Sequence, residues 1–535
     1  VYSNPSMYFF PDVGRAEGME ILKGAAAIGT GPRTTAGAIN IISRSIPTET
    51  TGYYGFTMGD DNYFNQHTYY GGEMGNLSYV IELSNAGTDG HKEIEPASGN
   101  DTNAGYRKNS DLFKLRYTMP SSYIEFSSQN TSETSHESYI GLTRQDFADN
   151  PYKRYAASSQ DKMDNDYHRY ILTYNMDLSP STNFVGKVYK TKYSRNWKKV
   201  GNIVVDADGT DGGSLEDEFE ISNVDWDGNC NSGTAKYDRA CNIITNGTAM
   251  VSGEYLKRSI GHRDYGMYGY HIEVDHTMGN HELTLGYRSH HDYRQRLDNG
   301  ISERWVLGSN NTMVASVIDR DAATLQERKS AWADSISLQD RITHGNFVTT
   351  LGVRYEDVDY DKISKSDGSV TKYDNSETMI AASTVYSMGD GKSMFAAYSQ
   401  GYNPTGPSSV DPDESDNYEI GYRSRSANSF LEVVAFFVDY DNLNETCSIA
   451  SGCGNASNSQ TNAGEAESKG LEITYKVNNL FPSPSMKGAE VTSGVRYPLT
   501  IAMTFQDSER TVGTSSSKPA DKTLPYNPEQ IFYVS

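Results

Sequence analysis

"EGMEILKGAAAIGTGPRTTAGAINIISRSIP", Glu17 to Pro47, is the stretch around which the rest of the chain organises itself. Two short β-like runs, Met19 to Leu22 and Ala38 to Ser43, flank a segment of Gly, Ala, Thr, Pro and one Arg. Gly24, Gly29, Gly31 and Gly37 permit positive φ and close backbone packing. Pro32 stiffens the segment, and Arg33, Thr34 and Thr35 offer hydrogen-bond donors at its tip. A phosphate-binding loop is excluded, because no Gly-Lys-Ser/Thr occurs and no helical pattern follows. After Pro47 the composition turns to Tyr-rich alternating runs for nearly all the remaining chain.

Apolar residues make up 36% of the 535, below the roughly 45–50% of a soluble globule. The 39 Tyr and 48 Gly argue against disorder, which lacks aromatics. No apolar run approaches the ~18 residues of a membrane helix. A mean hydropathy of −0.65 fits a polar soluble β protein, or a transmembrane barrel whose wet lumen and loops dilute its apolar band. The net charge of −23 argues against nucleic acid or an anionic membrane face as partner, and is assigned to long external loops. No basic stretch with an apolar core opens the chain and Val1 is no initiator, so the polypeptide reads as mature or truncated.

The cysteines form two local pairs, Cys230/Cys241 and Cys447/Cys453, each in a Gly/Asn/Ser-rich loop without a neighbouring His. Small-loop disulfides in an oxidising compartment are expected, and no metal site.

Period-2 alternation with intervening turn signals marks half-buried strands. Tyr268, Tyr270, Ile272 and Val274 share one face, opposite Gly269, His271, Glu273 and Asp275. Phe347, Leu351, Val353 and Tyr355 likewise oppose Thr350, Gly352, Arg354 and Glu356. A sandwich alternates too, so connection lengths decide. Tight turns fall at Pro120–Ser122, Ser179–Ser181, Met278–Asn280, His344–Asn346, Met388–Gly391 and Ser426–Ser429. Between them stand long connections near 87–109, 131–165, 195–262, 293–330, 358–376, 402–414, 441–465 and 507–526. Short turns on one side and long loops on the other predict an all-β, antiparallel outer-membrane barrel. Roughly 18 strands are expected here, against ~22 in a plugged transporter, which implies that C-terminal strands and the front of the plug are missing.

A barrel this wide leaves a lumen that must be closed by a folded plug. The order Lys-Gly, small residues, Gly-Pro-x-Thr-x-x-Gly, "AIN", "SR" resembles the plug of TonB-dependent outer-membrane receptors, most of all the ferric dicitrate branch. "FAAYSQGYNPTGP…ESDNYEIGYRS" (Phe395 to Ser424), "ESKGLEITY" (Glu467 to Tyr475) and "LPYNPEQ" (Leu524 to Gln530) resemble the barrel of that family. The resemblance implies a plug at 1–48 and a barrel at 49–535. It implies active import of a ferric chelate, ferric citrate or a related siderophore, across a Gram-negative outer membrane. The TonB energy-coupling protein and outer-membrane lipid would be its partners. No enzyme chemistry and no resident cofactor are expected. Receptors for haem, cobalamin or glycans are the alternatives within that class, and a passive porin or a secreted β-sandwich binding protein those outside it.

Ligand contacts are expected first at Arg33, Thr34 and Thr35 on the plug apex, then at Tyr8, Phe9 and Phe10 on a second plug loop. Lumen-facing Arg116, Arg288, Arg354 and Arg423 would offer bidentate donors to carboxylates. The plain structural readings are a plug–barrel salt bridge for Arg33, wall packing for Tyr8 to Phe10, and pairing with wall acids such as Glu282, Glu356 and Glu419 for the arginines. His290 and His291, adjacent on a strand, face opposite sides, so at most one reaches the lumen.

Overall fold

The computed structural model describes all residues except 1, 4–5, 23–27, 30–36, 96–103, 207–215, 222–229, 231–232, 310–311, 319–323, 366, 406–409, 447–459, 481–496, 515–519 and 525. Among the described residues, twenty-one strands form one closed barrel, in antiparallel sequence order. Three of them, Glu216–Glu220, Met313–Ile318 and Lys522–Thr523, are short pieces inside the long connections. The other eighteen form the wall, from Thr51–Met58 round to Gln530–Val534. A closed barrel leaves no place for the sandwich alternative. Ala16–Leu22 and Ala38–Ser43 pair with each other in a separate two-stranded sheet.

Why the wall forms is visible in the strand Phe347–Ser364. Leu351, Val353 and Tyr355 are exposed on the outside, whereas Arg354, Glu356, Val358 and Tyr360 are buried inside. Apolar-out and polar-in is the reverse of a soluble sheet and matches a wall with lipid outside. The band is bracketed by aromatics. Near the tight turns, Phe347 lies against Tyr386 at 4.7 Å. Twelve residues further up, where Trp332 stands opposite Asp359 and just past the roughly 9–11 residues that cross a hydrocarbon core on a tilted strand, Tyr268, His291 and Trp332 cluster outward, with His291 4.1 Å from Trp332. Gly279 and Gly345 open two-residue turns with φ of +63° and +58°, the conformation that a type II′ hairpin demands of its first residue.

The strict alternation of short and long connections breaks three times. Residues 59–63 and 365–369 form short links on the long side, the second in place of the long connection expected near 358–376, and residues 478–498 form a long one on the short side. Much of the expected loop is also strand. Thr182–Asp206 and Tyr255–Met278 run 25 and 24 residues, far past the membrane band. Their outer parts mix apolar residues such as Trp197, Val200, Ile203 and Leu256 with charged ones on both faces, so the clean alternation that marks a half-buried strand is absent there.

Above the band, the connections fold on one another. Ile140, Tyr155, Val200, Ile203, Leu256 and Leu307 make a buried core with Ala240, Ile243 and Ile244, which lie on the helix Ala235–Asn246. The Cys230–Cys241 disulfide ties that helix to the segment before it, as expected. Cys447 and Cys453 lie outside the described residues.

Candidate functional site

The leading segment is pinned to the wall at several places. Lowest, the buried carboxylate of Glu82 accepts from Arg44 Nε at 2.7 Å and Arg15 Nη1 at 3.5 Å, with His67 Nε2 at 2.8 Å. Both arginines belong to the leading segment and Glu82 to the wall strand Leu77–Thr88. Higher, the backbone N–H groups of Tyr2 and Ser3 donate to the Asp292 carboxylate at 2.7 and 2.9 Å, and Tyr2 Oη donates to Glu356. On another part of the wall, Tyr8 stacks on Tyr193 at 5.3 Å and Tyr265 at 4.7 Å. Phe9 is buried with Tyr167, Tyr193 and Tyr265, while Phe10 is exposed.

Between plug and wall lies a cavity of about 750 Å³. Glu20, Leu22, Ala38, Ile39 and Asn40 line it from the two-stranded sheet. The wall contributes Arg169, Lys187, His271, Glu273, Arg288, Ser335 and Arg354. Register brings most of these to one level: Lys187 is opposite His271, His271 opposite Arg288, and Arg288 opposite Ser335. Four cations against two carboxylates give the cavity a positive balance inside an acidic protein. Arg288 Nε donates to Tyr189 Oη at 3.2 Å, and Arg354 donates to Glu356 at 2.9 Å and Ser335 Oγ at 2.8 Å. Arg169 Nε has no hydrogen-bond partner among the described residues.

Above the cavity, alternate residues of Thr182–Asp206 build a ladder of rings and cations. The Arg195 guanidinium lies 4.9 Å from the Tyr8 ring and 4.9 Å from Trp197. Lys199 Nζ lies 3.8 Å from the Tyr139 ring and 4.9 Å from Trp197. Arg195 is 3% exposed, and its Nε and Nη1 have no hydrogen-bond partner among the described residues. Burying such donors is costly unless something accepts from them. Sequence reading missed this ladder because residues 195–262 were assigned to loop. The i, i+2, i+4 spacing of Arg195, Trp197 and Lys199 was the available signal.

The remaining expected residues are spread out. Arg116 donates to Glu125 at 2.6 Å and lies 4.4 Å from the Tyr123 ring, close to the turn at Pro120–Ser121. Arg423 donates to Glu432 at 2.6 Å and lies over Phe395, also near a short turn. Glu282 accepts from Arg341 at 2.7 Å. Arg33, Thr34 and Thr35 lie outside the described residues. His290 is buried inside against Tyr2 and Tyr189, and His291 faces outward.

A family model described as "TonB dependent receptor-like, beta-barrel" matches residues 33–535. The chain belongs to that family. Its members are transporters and receptors of the Gram-negative outer membrane rather than enzymes. Among solved structures, the ferric citrate transporter FecA in its unliganded form superposes with a TM-score of 0.69 at 14% identity, over 100% of this chain and 71% of that one. The ferric-catecholate import receptor Fiu of E. coli in its closed form gives 0.68 at 12%, over 98% and 73%. The siderophore receptor PiuA of Acinetobacter baumannii gives 0.67 at 12%, over 97% and 74%. At such identities the likeness establishes the fold. No curated protein matches the chain in sequence.

Proposed function

We propose that this receptor imports an anionic ferric chelate by TonB-dependent active transport, with ferric citrate or a related carboxylate siderophore as its cargo. The observation that carries the reading is the positive balance of the plug–wall cavity, where Arg169, Lys187, Arg288 and Arg354 converge. Guanidinium groups bind carboxylates bidentately and keep their charge at any working pH. The residues 1–48 act as the plug, with Arg33, Thr34 and Thr35 at its apex, and residues 49–535 as the barrel. The chelate docks first on the apex and on the ring–cation ladder of Tyr8, Arg195, Trp197, Lys199 and Tyr139. Pull from TonB then rearranges the plug and opens the way past the cavity.

The ladder also favours a second reading, an aromatic ferric catecholate, because guanidinium and ammonium groups between rings suit a flat anionic ligand. Radiolabelled iron uptake into iron-starved cells expressing the receptor separates the two. Ferric citrate uptake that falls at least tenfold in Arg354→Met, and is unchanged in Arg423→Met, supports the carboxylate reading. Uptake of ferric catecholate alone, abolished by Trp197→Ala, transfers the assignment to the second. Uptake of haem, cobalamin or a glycan with neither iron chelate would refute both.

A further inference from the structure

On its outer surface the wall carries a groove that plays no part in the lumen. Phe126, Leu172, Val188 and Tyr270 are register partners across four adjacent strands, so they stand outward at one level. One step higher come Ser128, Tyr170, Lys190 and Tyr268, and one step above those Asn130, His168, Lys192 and Gly266. The first level and the tyrosines above it surround a groove of about 590 Å³ with an almost wholly apolar lining.

Counted from the turn at Pro180–Ser181, Lys190 and Lys192 fall ~9–11 residues up the strand, where a tilted strand leaves the hydrocarbon core. Both are exposed, and neither forms an ion pair among the described residues. Asp166 and Asp264 lie further out, at the level of Ser194, and Asp264 is already within 3.4 Å of His262. Two uncompensated ammonium groups therefore stand at the headgroup layer directly above an apolar groove. Opposite Lys192, the ring of His168 is held by Asn130 at 2.8 Å.

We propose that this face binds one lipid of the leaflet on the long-connection side, with an acyl chain in the groove and a phosphate-monoester headgroup on Lys190 and Lys192. A phosphate monoester carries about −1.5 to −2 charges near neutral pH, which two lysines match. A zwitterionic headgroup brings its own cation and has no use for the pair. Any lipid wets a barrel wall; the lysines above the groove make this one selective. The inference depends on the barrel's place in a membrane and is independent of the cargo.

The test is native mass spectrometry of the purified full chain in detergent, titrated with dioleoyl phosphatidic acid or dioleoyl phosphatidylcholine. Identical chains isolate the headgroup. The wild type should retain phosphatidic acid at least tenfold more strongly. Lys190→Gln with Lys192→Gln should abolish that preference, and Val188→Trp, which fills the groove, should weaken retention of both lipids. Heat-modifiable migration on a gel checks that each variant is folded, and all three side chains point away from the protein interior. Equal retention of the two lipids by the wild type, an undiminished preference in the double lysine variant, or unchanged retention in Val188→Trp would each overturn the proposal.

Discussion

Glu82→Ala tests how the leading segment is held in the lumen. Glu82 is fully buried and takes up the charges of Arg15 and Arg44, themselves 3% and 17% exposed at their side chains. Deleting the carboxylate leaves Arg15 with Asp12 at 3.9 Å and Ser110 Oγ, which accepts from Nε at 2.7 Å. Arg44 keeps Glu17, at 4.0 Å and partly in solvent, and the face of the Tyr69 ring at 4.0 Å. Breaking a buried pair by removing one partner costs about 3–5 kcal/mol. With Asp12 left as partial compensation, the low end applies, about 3 kcal/mol. At 1.4 kcal/mol per tenfold, the population with Ala16–Leu22 released from the wall should rise roughly a hundredfold. Hydrogen exchange in detergent reads this directly: protection of Ala16–Leu22 and Ala38–Ser43 should fall, while that of the wall strand Phe347–Ser364 stays. Glu82→Gln keeps an acceptor for Arg44 Nε and should cost less. If Glu82→Ala left protection of both plug strands unchanged, the junction of Arg15, Arg44 and His67 on Glu82 would have no holding role and the reasoning would be wrong.

Two further predictions concern the external cap. Asp161 is buried there, accepting from the backbone N–H of Val200 at 2.9 Å and Tyr139 at 3.3 Å. Burial pushes its carboxyl up to about 7, against those hydrogen bonds and the Arg258 charge, with Glu137 adding to the rise. The unfolded value is about 3.9, so the folded cap binds the extra proton in between. The stabilisation from that proton is full below about pH 4 and gone once the pH has risen through about 7. Exchange protection of the Val200 and Tyr139 amides, corrected for intrinsic rate, should therefore drop from pH 5.5 to pH 8.0, and Asp161→Asn should flatten the profile. The Cys230–Cys241 bridge closes a loop of 11 residues' separation, worth about 2–3 kcal/mol to the cap. Cys230→Ser with Cys241→Ser should loosen the helix Ala235–Asn246 in exchange experiments while leaving heat-modifiable migration of the barrel intact.

The wall was legible because its signal is local. Leu351, Val353 and Tyr355 against Gly352, Arg354 and Glu356 declare two faces within a few residues, and Gly-Asn at 279–280 and 345–346 declares the turns. The outer parts of Thr182–Asp206 and Tyr255–Met278 were not legible, since apolar and charged residues are mixed on both faces there and packing of Val200, Ile203 and Leu256 against the external connections makes them strand. The lumen arginines show the same division. Arg116, Arg288, Arg354 and Arg423 were all expected to face inward, and Glu356, two residues along the same strand, was already an expected partner for Arg354; register supplies Glu125 and Glu432 for the two near the turns, and closure of the wall brings Tyr189 from two strands away to Arg288.

By itself, then, the amino-acid sequence determined a two-faced antiparallel wall, its turns and a Gly-rich leading module, because a pleated strand puts alternate residues on opposite sides whatever surrounds it. Only the tertiary structure decided which charges meet. Arg15 finds Glu82 across 67 residues and Tyr2 finds Asp292 across 290. Such meetings depend on barrel closure and on the height of Glu17–Pro47 within the lumen, and no periodicity in the chain encodes either.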